Sequence, residues 1–529
     1  CIINFVALKR LRIKILKGRI YMLIKILFLI LFFGVMIYVG FYSRKHATNM
    51  NDFVLGGRSV GPWLTAFAYG TSYFSAVVFV GYAGQFGYKY GISATWIGIG
   101  NALIGSLLAW VILGRRTRVM SNHLSAATMP DYFGKRFDSN ALRIAASAIS
   151  FIFLIPYTAS VYNGLSRLFG MAFDIPYAAC VIAMALLTGV YVILGGYMAT
   201  AINDFIQGII MLGGIVAVIA AVLSGQGGFI NAIKSLAEIE SDVPLTLGQK
   251  GVFASFFGPD PVNLLGVVIL TSLGTWGLPQ MVHKFYAIKD EKSIKYGTII
   301  STFFAIIISG GCYFLGGFGR LFDSPAIHKE GGGIIYDAII PSMLATLPDI
   351  LVGIVVVLVL SASMSTLSSL VLTSSSTLTL DLIKDNIIKD MDEKKQLLCI
   401  RIMLVFFIVI SVVIALDPPT FIAQLMGISW GALAGAFLAP FMYGLYWKGV
   451  TKLSVWASFA CGVLFTVSNM FLKFIASPIN AGAIAMILGL IIVPVVSMIT
   501  PKIEQKKVDQ IFSCLDETVV VHRKNSIEE

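Results

Sequence analysis

Windows of about 20 mostly apolar residues recur along this chain, each long enough to cross the ~30 Å hydrocarbon core of a bilayer. No other feature restricts the fold so tightly. Inside hydrocarbon each backbone N–H and C=O must find its partner within the protein, and a segment of this length does so as an α-helix. The windows fall near 22–43, 61–84, 92–114, 140–168, 175–197, 202–224, 260–283, 296–318, 348–382, 398–416, 419–447, 453–473 and 481–500. Composition agrees: 57% of the 529 residues are hydrophobic and only 12% charged, against about 25% charged in soluble domains. The expected class is an all-α integral membrane protein with about thirteen transmembrane helices.

The net charge of +12 does not point to nucleic acid, because the basic residues lie between apolar segments rather than along one face. One set of loops carries most of them, among them Arg44, Arg58, Arg115, Arg116, Arg118, Lys135, Arg136, Arg143, Lys284, Lys289, Lys384 and Lys448. The alternate loops hold only Lys89, Arg167, Lys234, Lys250, Arg320, Lys329 and Lys473. The positive-inside rule makes the first set cytoplasmic. An odd number of spans then puts the amino end outside and the tail inside, in a multi-pass protein of the cell membrane. Residues 1–21 stand apart, with six basic residues on the expected outer side and a Cys in first place. They read as a mis-called extension with Met22 as initiator, or as a basic amphipathic arm lying on a membrane surface. Residues 22–500 form the transmembrane domain and 501–529 a cytoplasmic tail.

The polar stretches near 225–255, 384–397 and 501–529 are too short to hold a soluble core. A GxxxxGK[ST] phosphate loop and an HExxH helix are both lacking, and the six cysteines show no metal-ligand spacing. An enzyme, an ATP-driven pump and a cofactor site are therefore not expected. The partners expected are lipid, a small solute and an ion, with the monomer as functional unit and no nucleic acid.

Polar and small residues inside spans are the informative ones, because hydrocarbon penalises them. Gly70, Thr71, Ser72 and Ser75 cluster in the second span, WLTAFAYGTSYFSAVVFVG. They read either as close helix packing or as a helix break that points free carbonyls at an ion or solute. Ser365, Ser368 and Ser369 share one helix face in SASMSTLSS, with Thr366 beside them. Such a hydroxyl stripe suits a hard monovalent cation, or else is small-residue packing. Asp204 is a lone carboxylate at the start of the sixth span, either a helix-start acid or a cation partner. Gly274, Gly277 and Pro279 interrupt the seventh span and leave Trp276 and Gln280 available to a solute. Gly427, Trp430, Gly431, Gly435 and Pro440 repeat that theme near 426–440. Broken helices about 200 residues apart indicate an inverted repeat, spans two to six and seven to eleven.

The segments DFVLGGRSVGPW (52–63), TMPDYFGKRF (128–137), ILGGYMATAINDFIQG (193–208), GLPQ (277–280) and SMSTLSS (363–369) together resemble the solute:sodium symporter family, from about residue 24 to 500. That resemblance implies a leucine-transporter-like fold, an inverted repeat of five plus five helices with sodium as coupling ion. It implies a sodium site from the carbonyls of Thr71, Phe74 and Ala362 and the hydroxyls of Ser365 and Thr366. Asp204, Ser365, Ser368 and Ser369 match the pattern of a second sodium site found in some members. For substrate, the proline branch carries Asp where this chain has Tyr73, Trp where it has Val77 and an aromatic residue where it has Thr275. TSYFSA (71–76), YKYG (88–91), DPP (417–419) and GLYW (444–447) look more like the pantothenate branch. The expectation is sodium-coupled symport of a pantothenate-like or other monocarboxylate solute by alternating access, bound near Tyr73, Ser75, Trp276 and Gln280. The alternatives are a proline, other amino-acid or sugar symporter, and an ion-independent uniporter or channel. Because Lys284 is read as a loop residue, no Lys or Arg is expected within the central part of a span.

Overall fold

The computed structural model describes residues 26–44, 47, 49–173, 176–329, 331–384, 386–417 and 422–516. The extension at 1–21 with Met22, the tail beyond 516 and Pro418–Pro419 lie outside the described residues. Among those described, ten helices are long and apolar enough to span a membrane, and the pair Pro261–Gly277 and Pro279–Ala287, bent by 47°, makes an eleventh. Two of the ten run through a turn. Val77–His123 reverses at Gly91 (φ 63°, ψ −144°) and Tyr177–Gly225 at Gly196 (φ 54°, ψ −145°). At Gly196 the left-handed backbone excludes side chains, and a Cβ would stand 2.6 Å from the Phe53 carbonyl oxygen.

Dividing at these turns gives thirteen spans. They are α1 (Ile26–Ser43), α2 (Pro62–Tyr73, resumed over 77–90), α3 (95–123), α4 (Asn140–Gly170), α5 (177–195), α6 (197–225) and α7 (Pro261–Gly277 with Pro279–Ala287). There follow α8 (Glu291–Gly316), α9 (Ile350–Ile383), α10 (Glu393–Leu416), α11 (Ile422–Tyr446), α12 (Lys452–Leu472) and α13 (Pro478–Ile499). Proline opens α2, the second half of α7 and α13 at the first turn, where its missing N–H costs nothing.

The sets α2–α6 and α7–α11 each begin with a broken helix, as the inverted repeat requires. α9 and α11 form the centre, with 78% and 89% of their spans buried, whereas α1, α10 and α12 bury only 28%, 33% and 33% and face lipid. α9 packs against α2, α4, α10 and the α5–α6 pair, which brings its hydroxyl stripe to the break in α2. The expected interruption near 426–440 does not occur: α11 is one helix through Pro440. Its glycines serve packing instead. Gly431 lies against Gly482 of α13 and Gly435 against Gly462 of α12, close approaches that small residues permit between helices in lipid.

Candidate sodium and solute site

The first half of α2 ends at Tyr73. Phe74 turns extended (φ −108°, ψ 92°) and helical backbone resumes at Val77, whose N–H is received by the Ser75 hydroxyl at 3.1 Å. A helix end leaves its last carbonyls without intrahelical partners, and here those carbonyls face α9. The Thr71 oxygen accepts from the Ser365 hydroxyl at 3.0 Å and from Thr366 at 3.2 Å. The same two hydroxyls approach the Ala362 oxygen at 3.2 and 3.1 Å, and Thr366 also reaches the Ser72 oxygen at 3.4 Å. All of these residues are buried. Of the five expected sodium ligands, Thr71, Ala362, Ser365 and Thr366 therefore converge directly, and Phe74 is the residue at which the helix breaks. Neutral carbonyl and hydroxyl oxygens are the ligand type that a hard monovalent cation takes. The hydroxyls need only turn their hydrogens away to become ligands.

One turn along α9 the arrangement changes. Ser369 donates or accepts with Ser72 at 2.7 Å and receives the Lys284 ammonium at 2.9 Å. Lys284 stands 3.8 Å from an Asp204 carboxylate oxygen and 5.3 Å from the centre of the Tyr197 ring. Both members of the pair are closed off from solvent, Lys284 at 2% exposure and Asp204 at 0%. The Ser368 hydroxyl bonds back to the Ser365 carbonyl at 2.8 Å. The reading of Lys284 as a loop residue is thus corrected. α7 resumes at Pro279, so Lys284 sits within its second half rather than in a loop. The signal was present in the sequence: Asp204, a carboxylate inside an apolar run, needs a cation partner.

The expected solute residues divide. Tyr73 stacks on Phe74 with ring centres 4.2 Å apart, faces Trp430 at 6.1 Å, and its hydroxyl donates to the Thr271 carbonyl. Tyr157, from the middle of α4, stands edge-on to Trp430 at 5.8 Å with its hydroxyl beside Ser75. That hydroxyl lies between Ser75 and the Trp430 indole. Tyr73, Ser75, Tyr157 and Trp430 therefore cluster beside the break, all four buried. Sequence reasoning missed Tyr157, which has no local motif around it. Trp276 instead ties α7 to α3, its indole N–H donating to the Ile104 carbonyl at 3.0 Å. Thr275 and Tyr69 both donate to the Gly105 carbonyl, and a Cβ at Gly105 would collide with the Tyr73 hydroxyl. Gln280 is buried with both amide atoms unpartnered. Ser75 also borders a void of ≈ 10 Å³ with Phe74 and Ala362, about the least that admits a water molecule.

The two ends of α2 differ. At its start Val60 pairs with the end of α7, its N–H donating to Ala287 at 3.2 Å and its carbonyl accepting from Lys289 at 3.1 Å. The Arg58 guanidinium donates to the Ala126 carbonyl at 2.6 Å, and Arg118 to that of Ile288. At its far end a cavity of ≈ 520 Å³ is lined by Gln85, Lys89, Asp260, Arg320 and Asn480, among others.

The family model described as the sodium:solute symporter family matches residues 53–462. The chain belongs to that family. It is 31% identical over 452 residues to sodium/proline symporter 2 of Staphylococcus saprophyticus, covering 83% of this chain and 84% of that one. The osmoregulated proline transporter of Bacillus subtilis is 28% identical, over 82% and 85% of the two chains. Among solved structures, a Na+-coupled sialic acid symporter in a substrate-bound outward-open state superposes with a TM-score of 0.73 at 17% identity, over 91% of this chain and 98% of that one. A nucleobase-cation-symport-1 family transporter in a closed conformation gives 0.50 at 13%, over 87% and 97%. These two likenesses establish the fold, and the family establishes a multi-pass, sodium-coupled solute transporter.

Proposed function

We propose that this protein carries proline, or a small amino acid like it, into the cell with sodium by alternating access. The observation that carries the sodium half is the meeting of the Thr71 and Ala362 carbonyls with the Ser365 and Thr366 hydroxyls across the break in α2. Sodium seated there holds α2 to α9. It favours the solute-competent conformation by its differential affinity for the two states, which is all that coupling requires.

The proline half is supported by the relatives, whose names specify proline, and this replaces the expectation of a pantothenate-like solute. The aromatic cluster beside the break suits such a ligand. Tyr73, Tyr157 and Trp430 offer flat apolar faces to a pyrrolidine ring, and the Tyr157 hydroxyl and Trp430 indole N–H can turn to donate to a carboxylate. The carbonyls freed at the helix break can accept from the ammonium. The Arg58–Arg118 end of α2 is cytoplasmic by the distribution of Lys and Arg, and is held shut. The ≈ 520 Å³ cavity is then the outer vestibule.

The test is radiolabelled proline uptake into proteoliposomes under an inward sodium gradient. Accumulation that collapses when choline replaces sodium is expected. Equal uptake in choline would assign an ion-independent uniporter, and sodium-driven uptake of a sugar or monocarboxylate but not proline would overturn the substrate assignment.

A further inference from the structure

We infer that the Lys284 ammonium is the resident cation of the Asp204–Ser369 pocket, so that this carrier binds a single sodium and uses a tethered lysine where a second sodium would sit. This deepens the proposed function, since it specifies the ion stoichiometry of the same transport cycle.

The pocket has the chemistry of a cation site and already contains a cation. Asp204 is fully buried, and neither of its carboxylate oxygens accepts a hydrogen bond. A charged carboxylate in that position is costly without a counter-charge, and a positive charge close by offsets that cost. Lys284 supplies it at 3.8 Å, donates to Ser369 at 2.9 Å and lies 5.3 Å from the centre of the Tyr197 ring, a distance at which a cation is attracted to an aromatic face. Ser369 is in turn bonded to Ser72 at 2.7 Å. The ammonium thus engages the carboxylate, the hydroxyl and the ring that would otherwise attract a free ion. Of the other hydroxyls on that face, Ser365 is turned toward the Thr71 carbonyl and belongs to the other site, and Ser368 bonds back to the Ser365 carbonyl.

The placement also makes mechanical sense. Asp204 is on α6, Lys284 on the second half of α7, Ser369 on α9 and Ser72 on the first half of α2. A sodium ion at this point would join four helices, two of them broken. The lysine joins the same four, but being covalently held it neither arrives nor leaves with the solute.

The experiment counts sodium directly, by equilibrium binding of radioactive sodium to the purified full-length protein in detergent, without solute. One sodium per chain is expected in the wild type and two in Lys284→Ala, where Asp204 is left to recruit an ion. The neutral double variant Asp204→Asn/Lys284→Gln should return to the wild-type count. Two sodium ions in the wild type, or an unchanged count in Lys284→Ala, would overturn the inference. If Lys284→Ala does not fold, the wild-type count decides alone: one supports the inference and two overturns it. A wild type that binds none while Lys284→Ala binds one would refute the sodium half of the proposed function, and with it the single-sodium count, while upholding Lys284 as the resident cation beside Asp204, so the two are separable.

Discussion

Two ends of one hydroxyl stripe on α9, a single helical turn apart, meet different surroundings. At Ser365 and Thr366 the facing groups are neutral main-chain carbonyls of a broken helix, reached by hydroxyls alone. At Ser369 the facing group is an ammonium already paired with a carboxylate. On the reading proposed above, identical chemistry on α9 gives an exchangeable cation site at one end and a permanently occupied one at the other. A serine stripe does not reveal how many ions a transporter binds; the groups across from it do.

The comparison can be broken most sharply at the charged end. Asp204→Asn leaves the Lys284 ammonium buried without its counter-charge, and removing one partner of a buried pair costs about 3–5 kcal/mol. The expected result is a large fall in the melting temperature of the detergent-solubilised protein. An unchanged melting temperature would mean that the pair contributes nothing to stability. At the neutral end, Thr366→Ala removes one oxygen from the cation shell. Hydrogen bonds to charged groups are worth about 1.5–3 kcal/mol, so the sodium concentration for half-maximal uptake should rise about 10–100-fold, with solute affinity at saturating sodium little changed. Ser369→Ala removes the link between Lys284 and Ser72 but keeps the ion pair, which predicts a loss of about 1 kcal/mol without a change in sodium requirement. Smallest of all is Ser368→Ala. Its hydroxyl returns to its own helix at Ser365, so stability should move by no more than about 0.5 kcal/mol.

The spans were legible because a bilayer imposes one length on every crossing segment. The break in α7 was legible too, since glycine and proline at 274–279 leave a helix few options. The glycines of α11 look the same in sequence yet make no break, because Gly431 and Gly435 respond to neighbouring helices that a local reading cannot see. The meeting of Ser365 and Thr366 with the break in α2 was recoverable from residue type and spacing: the two share a turn, and a small-residue run lies opposite. Lys284 was hidden by its position, just past a proline at the edge of an apolar run, where a basic residue ordinarily reads as a loop charge. Tyr157 was hidden for the opposite reason, being one tyrosine in a long apolar helix whose place beside the break comes only from its contacts with Trp430 and Ser75.

The pairing of Val60 with Ala287 and Lys289 has a consequence for how the closed end can evolve. Both of its bonds belong to the main chain, so substitution of a side chain cannot delete them, with the exception of proline at 60 or 289. Opening exchanges them for bonds to entering water at modest net cost. Two broken helices are thus fastened together by a catch that drifts little with mutation and needs no dedicated residue, leaving the side chains around the break in α2 free to change.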